Sequence, residues 1–433
     1  MSSDAHATRD DGSAFLGLLR AAVSGRAPAA APDDWPSLLQ QAVRQEVDAF
    51  LYPAVASWPA TWRPPDALLQ DWRQRFAAAA GASVYRELQT GELLSALADA
   101  GLRAVPLKGI WLSANVYTHP AQRPMCDIDL LVAEPQLDPA RAVLERLGYT
   151  TRNTCPSDRF EYTQAFRSAR YAWPVELHWR MGFEPAPQPR PQPDPPGRWQ
   201  RVAAGELFGV PTPVLGLEDQ LAVLVGHVLH HSLALPLRAL LDIALLVQRR
   251  GGACDSARLS AAAEEWGVTH AMPRLVRIAA ELFDVGLPPP LDAWAPDVEP
   301  EARRQAASAL LAASEERVLE AEPTLLEWRR KGRLAGLGLV LRRIFLPREL
   351  LRIEYPSARV RIGLPVAYVQ RAIDLVRRRR ADLWRLMRQD PGQAHQLDLA
   401  QARQQTVRWL AQGGEIGTVA ERKPGRNRSA RGG

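Results

Sequence analysis

Cysteine is nearly absent from this 433-residue chain: Cys126, Cys155 and Cys254 are the three, widely spaced. That is neither a disulfide framework nor a zinc cluster, and it points to a reducing cytoplasm. No uninterrupted apolar run reaches the ~18–20 residues that span a bilayer, which excludes a membrane-spanning protein. The first residues, MSSDAHATRDDG, are polar and acidic, the wrong composition for a secretory signal peptide. A wholly disordered chain is excluded: 46% hydrophobic and 24% charged residues are globular values. The length allows about two to four domains at roughly 100–200 residues each.

Charge is present but uneven. From Ala321 to the end there are 24 Lys+Arg against 10 Asp+Glu, a net of +14, while the whole chain carries +6, so the first 320 residues carry −8. A basic C-terminal third suggests an anionic partner: a membrane surface, nucleic acid or an acidic protein. The plainer alternative is an arginine-rich solvated surface.

Along the chain, 1–12 reads as disordered and 13–67 as an N-terminal helical segment, with apolar residues three and four apart. A further helical stretch runs from Pro65 to Gly101, which offers a C-cap. The texture then becomes mixed. Ala104–Leu107, Asp127–Val132, Phe160–Phe166 and Tyr171–Trp179 read as strands, and Gly109–Tyr117 and Leu137–Leu147 as helices. Pro174 places the last strand at an edge or starts it just after the proline. Residues 68–183 thus form a mixed core. Residues 184–215 read as a proline-rich loop and connector, 216–287 as a helical domain, and 288–391 as a basic helical extension. The stretch 392–433 reads as a largely disordered tail.

The chemistry concentrates in LKGIWLSANVYTHPAQRPMCDIDLLV, residues 107–132. Asp127 and Asp129 lie two apart on a strand, so both carboxylates share a face, while Ile128, Leu130 and Val132 face the core. Paired carboxylates repel unless something positive neutralises them, and hard oxygen donors of this kind suit Mg²⁺. Glu176, in PVELHW, supplies a third acid if its strand is a neighbour, and three carboxylates suffice for two metals. Lys108 and Gly109 open a helix: glycine permits close backbone approach to an anion, and the lysine adds a point charge. Arg123 is either a second phosphate contact or a salt bridge ordering the turn before the strand. Lys108 can also pair with one of the aspartates.

A strand ending in a glycine turn, a short helix, D-x-D on the next strand and an acid on a later one resemble the polymerase-β-like nucleotidyltransferase superfamily. More narrowly, LKG, the Arg123-to-Asp129 R-x3-D-x-D spacing, VELHW and GHVLHHSLALPLRALLDIALL (226–246) resemble the bacterial uncharacterised nucleotidyltransferase family, over about residues 35–250. One departure is Lys108–Gly109 where the superfamily usually has Gly-Ser, which bears on how a triphosphate is held. The resemblance implies an α+β fold with a small mixed-sheet nucleotidyltransferase core embedded in helical N- and C-terminal segments. It implies an enzyme that moves a nucleoside monophosphate from an NTP to an acceptor hydroxyl with Mg²⁺, in a two-metal site. Asp127, Asp129 and Glu176 are then the catalytic and metal residues, with Lys108, Gly109 and Arg123 on the nucleotide.

His178, His227 and His231 are candidates to line the cleft. His178 suits a place behind the ligands better than ligation of Mg²⁺. His227, His230 and His231 share one helix face, which fits either a cleft wall or an ordinary helix–helix interface. Asp242, four residues after Arg238, reads as its i, i+4 partner. The run Arg377–Arg380 follows apolar positions at Leu364, Val366, Val369, Ile373 and Val376, a pattern open to an interfacial helix, a protein partner or plain solvation. No dedicated nucleic-acid domain is recognisable. The expected partners are an NTP, an unidentified acceptor and an anionic surface or protein for 321–433. The expected location is the cytoplasm, with the inner membrane surface as the alternative. The competing function is a non-catalytic nucleotide-binding or scaffold protein that works through its basic third.

Overall fold

Short branched runs among long alanine- and leucine-rich stretches yield a small sheet between helices. The computed structural model describes residues 4–28, 30–151, 163–179, 196–312, 345, 351, 363–387 and 391–412, and the labels below number the elements within them. Helices α1 (Asp4–Ser24), α2 (Trp35–Arg44) and α3 (Asp48–Ser57) precede α4 (Asp66–Asp99), which ends before Gly101 at φ 71. The first helix therefore takes in residues 4–12, in place of the expected disorder.

The sheet comprises β1 (Val105–Pro106), β2 (Ile128–Leu131), β3 (Tyr149–Thr150), β4 (Thr163–Ser168) and β5 (Val175–His178), in the order β1-β2-β5-β4-β3. Strands β2 and β5 are parallel, with Asp129 opposite Glu176 and Leu131 opposite His178; the other pairs are antiparallel. Pro174 immediately precedes β5, which lies inside the sheet, so the proline costs no ladder bond within the strand. Helices α5 (Lys108–Asn115) and α6 (Leu137–Arg146) complete this part.

Alternation along β2 and β5 sorts the side chains between two cores. Ile128, Leu130, Val132, Val175, Leu177 and Trp179 pack with α6 and the end of α4. The opposite face carries Asp129, Glu176 and His178, and Leu131 there joins the larger helical core.

A helical body follows: α7 (Pro196–Gln200), α8 (Leu217–His230), α9 (Arg238–Arg250), α10 (Ser256–Glu265), α11 (Ala271–Leu282), α12 (Pro289–Trp294) and α13 (Pro300–Ala312). Between α7 and α8 the expected loop is instead an antiparallel hairpin, β6 (Ala203–Leu207) and β7 (Val210–Val214). Its two-residue turn, Phe208–Gly209, has φ of 52 and 78, the left-handed geometry that matches strand twist. Beyond α13 lie α14 (Gly363–Met387) and α15 (Pro391–Gln412). Helix α15 replaces the first half of the expected disordered tail: it packs on α11 and α13 and buries Ala400, Thr406 and Leu410. The proline-rich 184–195, Cys155, much of 313–362 and 413–433 lie outside the described residues. Among the described residues no helix is long and apolar enough to cross a membrane.

Candidate active site

The site begins at the turn from β1 into α5. Lys108 has φ 47, a left-handed conformation that a side chain disfavours, and it is the one lysine among the first 330 residues of an otherwise arginine-using chain. Its ammonium reaches across to β2 and donates to Asp129 Oδ1 at 3.0 Å. His178 Nε2 lies 2.7 Å from the same oxygen and, facing an ionised carboxylate, donates. Glu176 Oε2 lies 3.8 Å from His178 Nε2. Asp129, Glu176 and His178 are, among the described residues, the one group of three candidate metal ligands with donor atoms within 4.8 Å of one another.

Electrostatics separates the three acids. Burial raises the Asp129 pKa, but Lys108 and His178 outweigh it and hold the carboxyl well below the usual range. Glu176 shifts upward through burial and then the charge of Asp129. Asp127, half-buried just before β2, also shifts upward through burial and Asp129, with Lys108 offsetting part. Its near neighbour is the Cys126 thiol at 3.6 Å. One acid is thus held strongly toward its ionised form while the other two are shifted the opposite way by burial and by its charge, a set whose crowded negative charge a bound cation would relieve. Hard carboxylate oxygens suit a divalent ion such as Mg²⁺. His178 is occupied with Asp129, so it orients that carboxylate.

Arg123 and Gly109 have a different geometry from the sequence expectation. Arg123 is buried in a two-point ion pair with Asp242 of α9, at 2.8 and 3.3 Å, so of its two readings the salt bridge is the one formed. Asp242 is itself buried, accepts the Tyr117 hydroxyl at 2.7 Å, and only secondarily meets Arg238, at 3.5 Å. A Cβ on Gly109 would lie 2.2 Å from Arg123 Nη1, so this glycine makes room for a guanidinium rather than for an anion. Asp242 is the residue that sequence reasoning undervalued. Its partner lies 119 positions away, and no local spacing signals it.

The end of α8 carries His227, His230 and His231, with ring centroids 4.7 Å apart for 227–231 and 5.2 Å for 230–231. His227 is lowered well below the ordinary imidazole value by burial, then Lys108 and His231, while Asp129 pulls the other way. His231 is pushed down to about 4 by burial, His230 and Lys108. His230 falls through burial, Lys108 and His178. All three therefore feel Lys108, and their lowered values leave them neutral at pH 7.

Asp129, Glu176 and His178, with Lys108 on Asp129 and Asp127 two residues away outside that close group, form an acidic cluster able to hold a cation beside a lysine. No curated protein and no solved structure matches the chain. The family model for uncharacterised nucleotidyltransferases matches residues 31–284, from α2 to just past α11, and so spans the sheet, the carboxylates and the histidine wall. With more than half of its residues matched, the chain belongs to the uncharacterised nucleotidyltransferase family and is a nucleotidyl-transferring enzyme.

Proposed function

We propose that the chain transfers a nucleoside monophosphate from an NTP to an acceptor hydroxyl, with Mg²⁺ held by Asp127, Asp129 and Glu176. The observation that carries this is the register of β2 against β5, which sets Asp129 opposite Glu176 with Lys108 on the same carboxylate. When bound, the ion would neutralise phosphate charge and lower the pKa of the acceptor hydroxyl. Asp129, kept ionised by Lys108 and His178, gives it a permanent anchor. Glu176, opposite Asp129 in the strand register, takes the acceptor proton as the hydroxyl oxygen bonds to the α-phosphorus. The bond from that phosphorus to the β-phosphate oxygen breaks, and pyrophosphate leaves past Lys108. The helical wall bearing His227 and His231 faces the acceptor.

The test uses α-³²P- and γ-³²P-labelled NTPs, Mg²⁺ and a host lysate as acceptor pool. Label retained on a product from the α position alone supports the reading; label retained from the γ position marks a kinase instead. Nucleotide binding without any product favours the non-catalytic alternative.

A second reading concerns the basic third. On α14, Val366, Val369 and Ile373 are exposed at one-face spacing, and Arg377 follows on that face, also exposed. This supports an anionic lipid surface as partner. Co-sedimentation with phosphatidylglycerol vesicles, absent with phosphatidylcholine vesicles and lost in Val369→Asp/Ile373→Asp, is the expected result.

A further inference from the structure

Helix α4 buries one face, with Trp72, Ser83, Gln89, Leu93 and Leu97 on it, and leaves an uncharged stripe on the other. Between Ala77 and Leu88 the exposed positions are Ala77, Ala78, Gly81, Val84, Tyr85 and Leu88. Their spacing of three and four sets them along one side of the helix, over roughly 17 Å. A solvated helix face is ordinarily polar, and this one carries no charge. Val84, Tyr85 and Leu88 are 54%, 64% and 60% exposed, so the chain's own fold does not use them. Gly81 lies at the centre of the stripe. A Cβ there would meet nothing within 4 Å, so no contact among the described residues calls for glycine. Glycine weakens a helix interior, and what it offers in return is close approach by another chain segment.

The stripe is small at its N-terminal end and large at its C-terminal end, so it fits a copy of itself running the other way. With a two-fold axis between Ala82 and Ser83, Leu88 faces the partner's Ala77 and Val84 faces the partner's Gly81. Tyr85 then lies over the partner's Ala78. Large meets small at each level, as close packing requires. A parallel pair would set Leu88 on Leu88 and leave glycine opposite glycine. Charge points the same way. Arg73 lies just before the stripe and Glu87 beside its far end, and among the described residues neither is in an ion pair. The antiparallel arrangement brings the basic end of each helix to the acidic end of the other, where a parallel one would set like charges together. We propose that the Ala77–Leu88 face of α4 is a homodimer interface, formed by two copies of the helix packed antiparallel about a two-fold axis. The inference is independent of the nucleotidyl-transfer reading.

Sedimentation equilibrium of the full chain from about 1 to about 100 µM reads the dimer constant. Wild type is expected to dimerise within that range. Leu88→Asp is expected to weaken dimerisation about 10²–10⁴-fold, since the two-fold axis counts each substitution twice. Gly81→Leu separates a fitted interface from a merely sticky one. In the single chain the added side chain enters open space, so the melting temperature is expected to hold or rise. In the dimer it occupies the place of the partner's Val84, so association is expected to weaken at least about 10-fold. A sticky patch would instead associate more tightly. Orientation is read by mixing Ala77→Cys and Leu88→Cys proteins under mild oxidation and mapping the disulfides: 77–88 is expected to exceed 77–77 and 88–88. Three results would overturn the inference: a wild type monomeric throughout, which leaves the stripe to another chain; a Gly81→Leu protein that dimerises as well as wild type; or a predominance of 88–88. Failure of Leu88→Asp to fold would overturn it too, by showing that Leu88 serves the chain's own core.

Discussion

Asp129 Oδ1 accepts from two donors, the Lys108 ammonium and the His178 imidazole, and this one oxygen organises the residues around it. Replacing Lys108 by Met removes a point charge from a partly dry site, and transfer is expected to fall about 10²–10³-fold. In the same variant the His227 and His231 pKa values are expected to rise, since Lys108 depresses both. Imidazole C2-proton titrations by NMR check this, and unmoved values would place Lys108 away from the wall. The histidines also bear on acid stability. A folded pKa of about 4 for His231, against about 6.5 unfolded, means that the unfolded chain binds more protons between those values. Stability is therefore full above pH 6.5 and declines as the pH falls toward 4. Asp127 and Glu176, whose values are raised, work in the opposite direction. The difference between wild type and His231→Asn isolates the histidine: urea midpoints should fall less in the variant between pH 7 and pH 4.5.

Among the elements, the turn β1–α5 and helix α15 are the most open to test. Gly109 touches the Arg123 guanidinium, so Gly109→Ala must displace it and is expected to cost about 1–3 kcal/mol in urea unfolding. Helix α15 buries Leu410 completely, so Leu410→Ala is expected to cost about 2–5 kcal/mol, where a disordered tail would give no change. The strands of the site were legible because DIDLLV and VELHW alternate and are branched-rich, and the carboxylate pair follows from that alternation. The β6–β7 hairpin was not. Its sequence, AAGEL and VPTPV around Phe208–Gly209, is rich in glycine, alanine and proline, residues that strands disfavour, and it is held by packing on α4 and β1. Helix α15 escaped for a related reason: its polar, glutamine-rich composition hides the few apolar positions that dock it.

For the whole molecule, the sheet and the helical body are joined through a buried charge pair, Arg123 on one and Asp242 on the other. Lys108 and the histidines at the end of α8 lie on these same two parts, so the pair also bears on how they face each other. Removing one partner leaves a charge stranded: Arg123→Met is expected to cost about 3–5 kcal/mol, and Arg123→Met/Asp242→Leu to recover much of it. A double-mutant cycle by urea unfolding measures this, and simple additivity would show the pair to be uncoupled. The central claim is that the carboxylate face performs nucleotidyl transfer. It is tested most directly by pyrophosphate release from NTP against Mg²⁺ concentration, with a lysate-derived acceptor pool, in wild type and in Asp129→Asn of equal thermal stability. The account predicts Mg²⁺-dependent release in wild type and a loss of at least about 10³-fold in the variant. Equal release by the two proteins would contradict it.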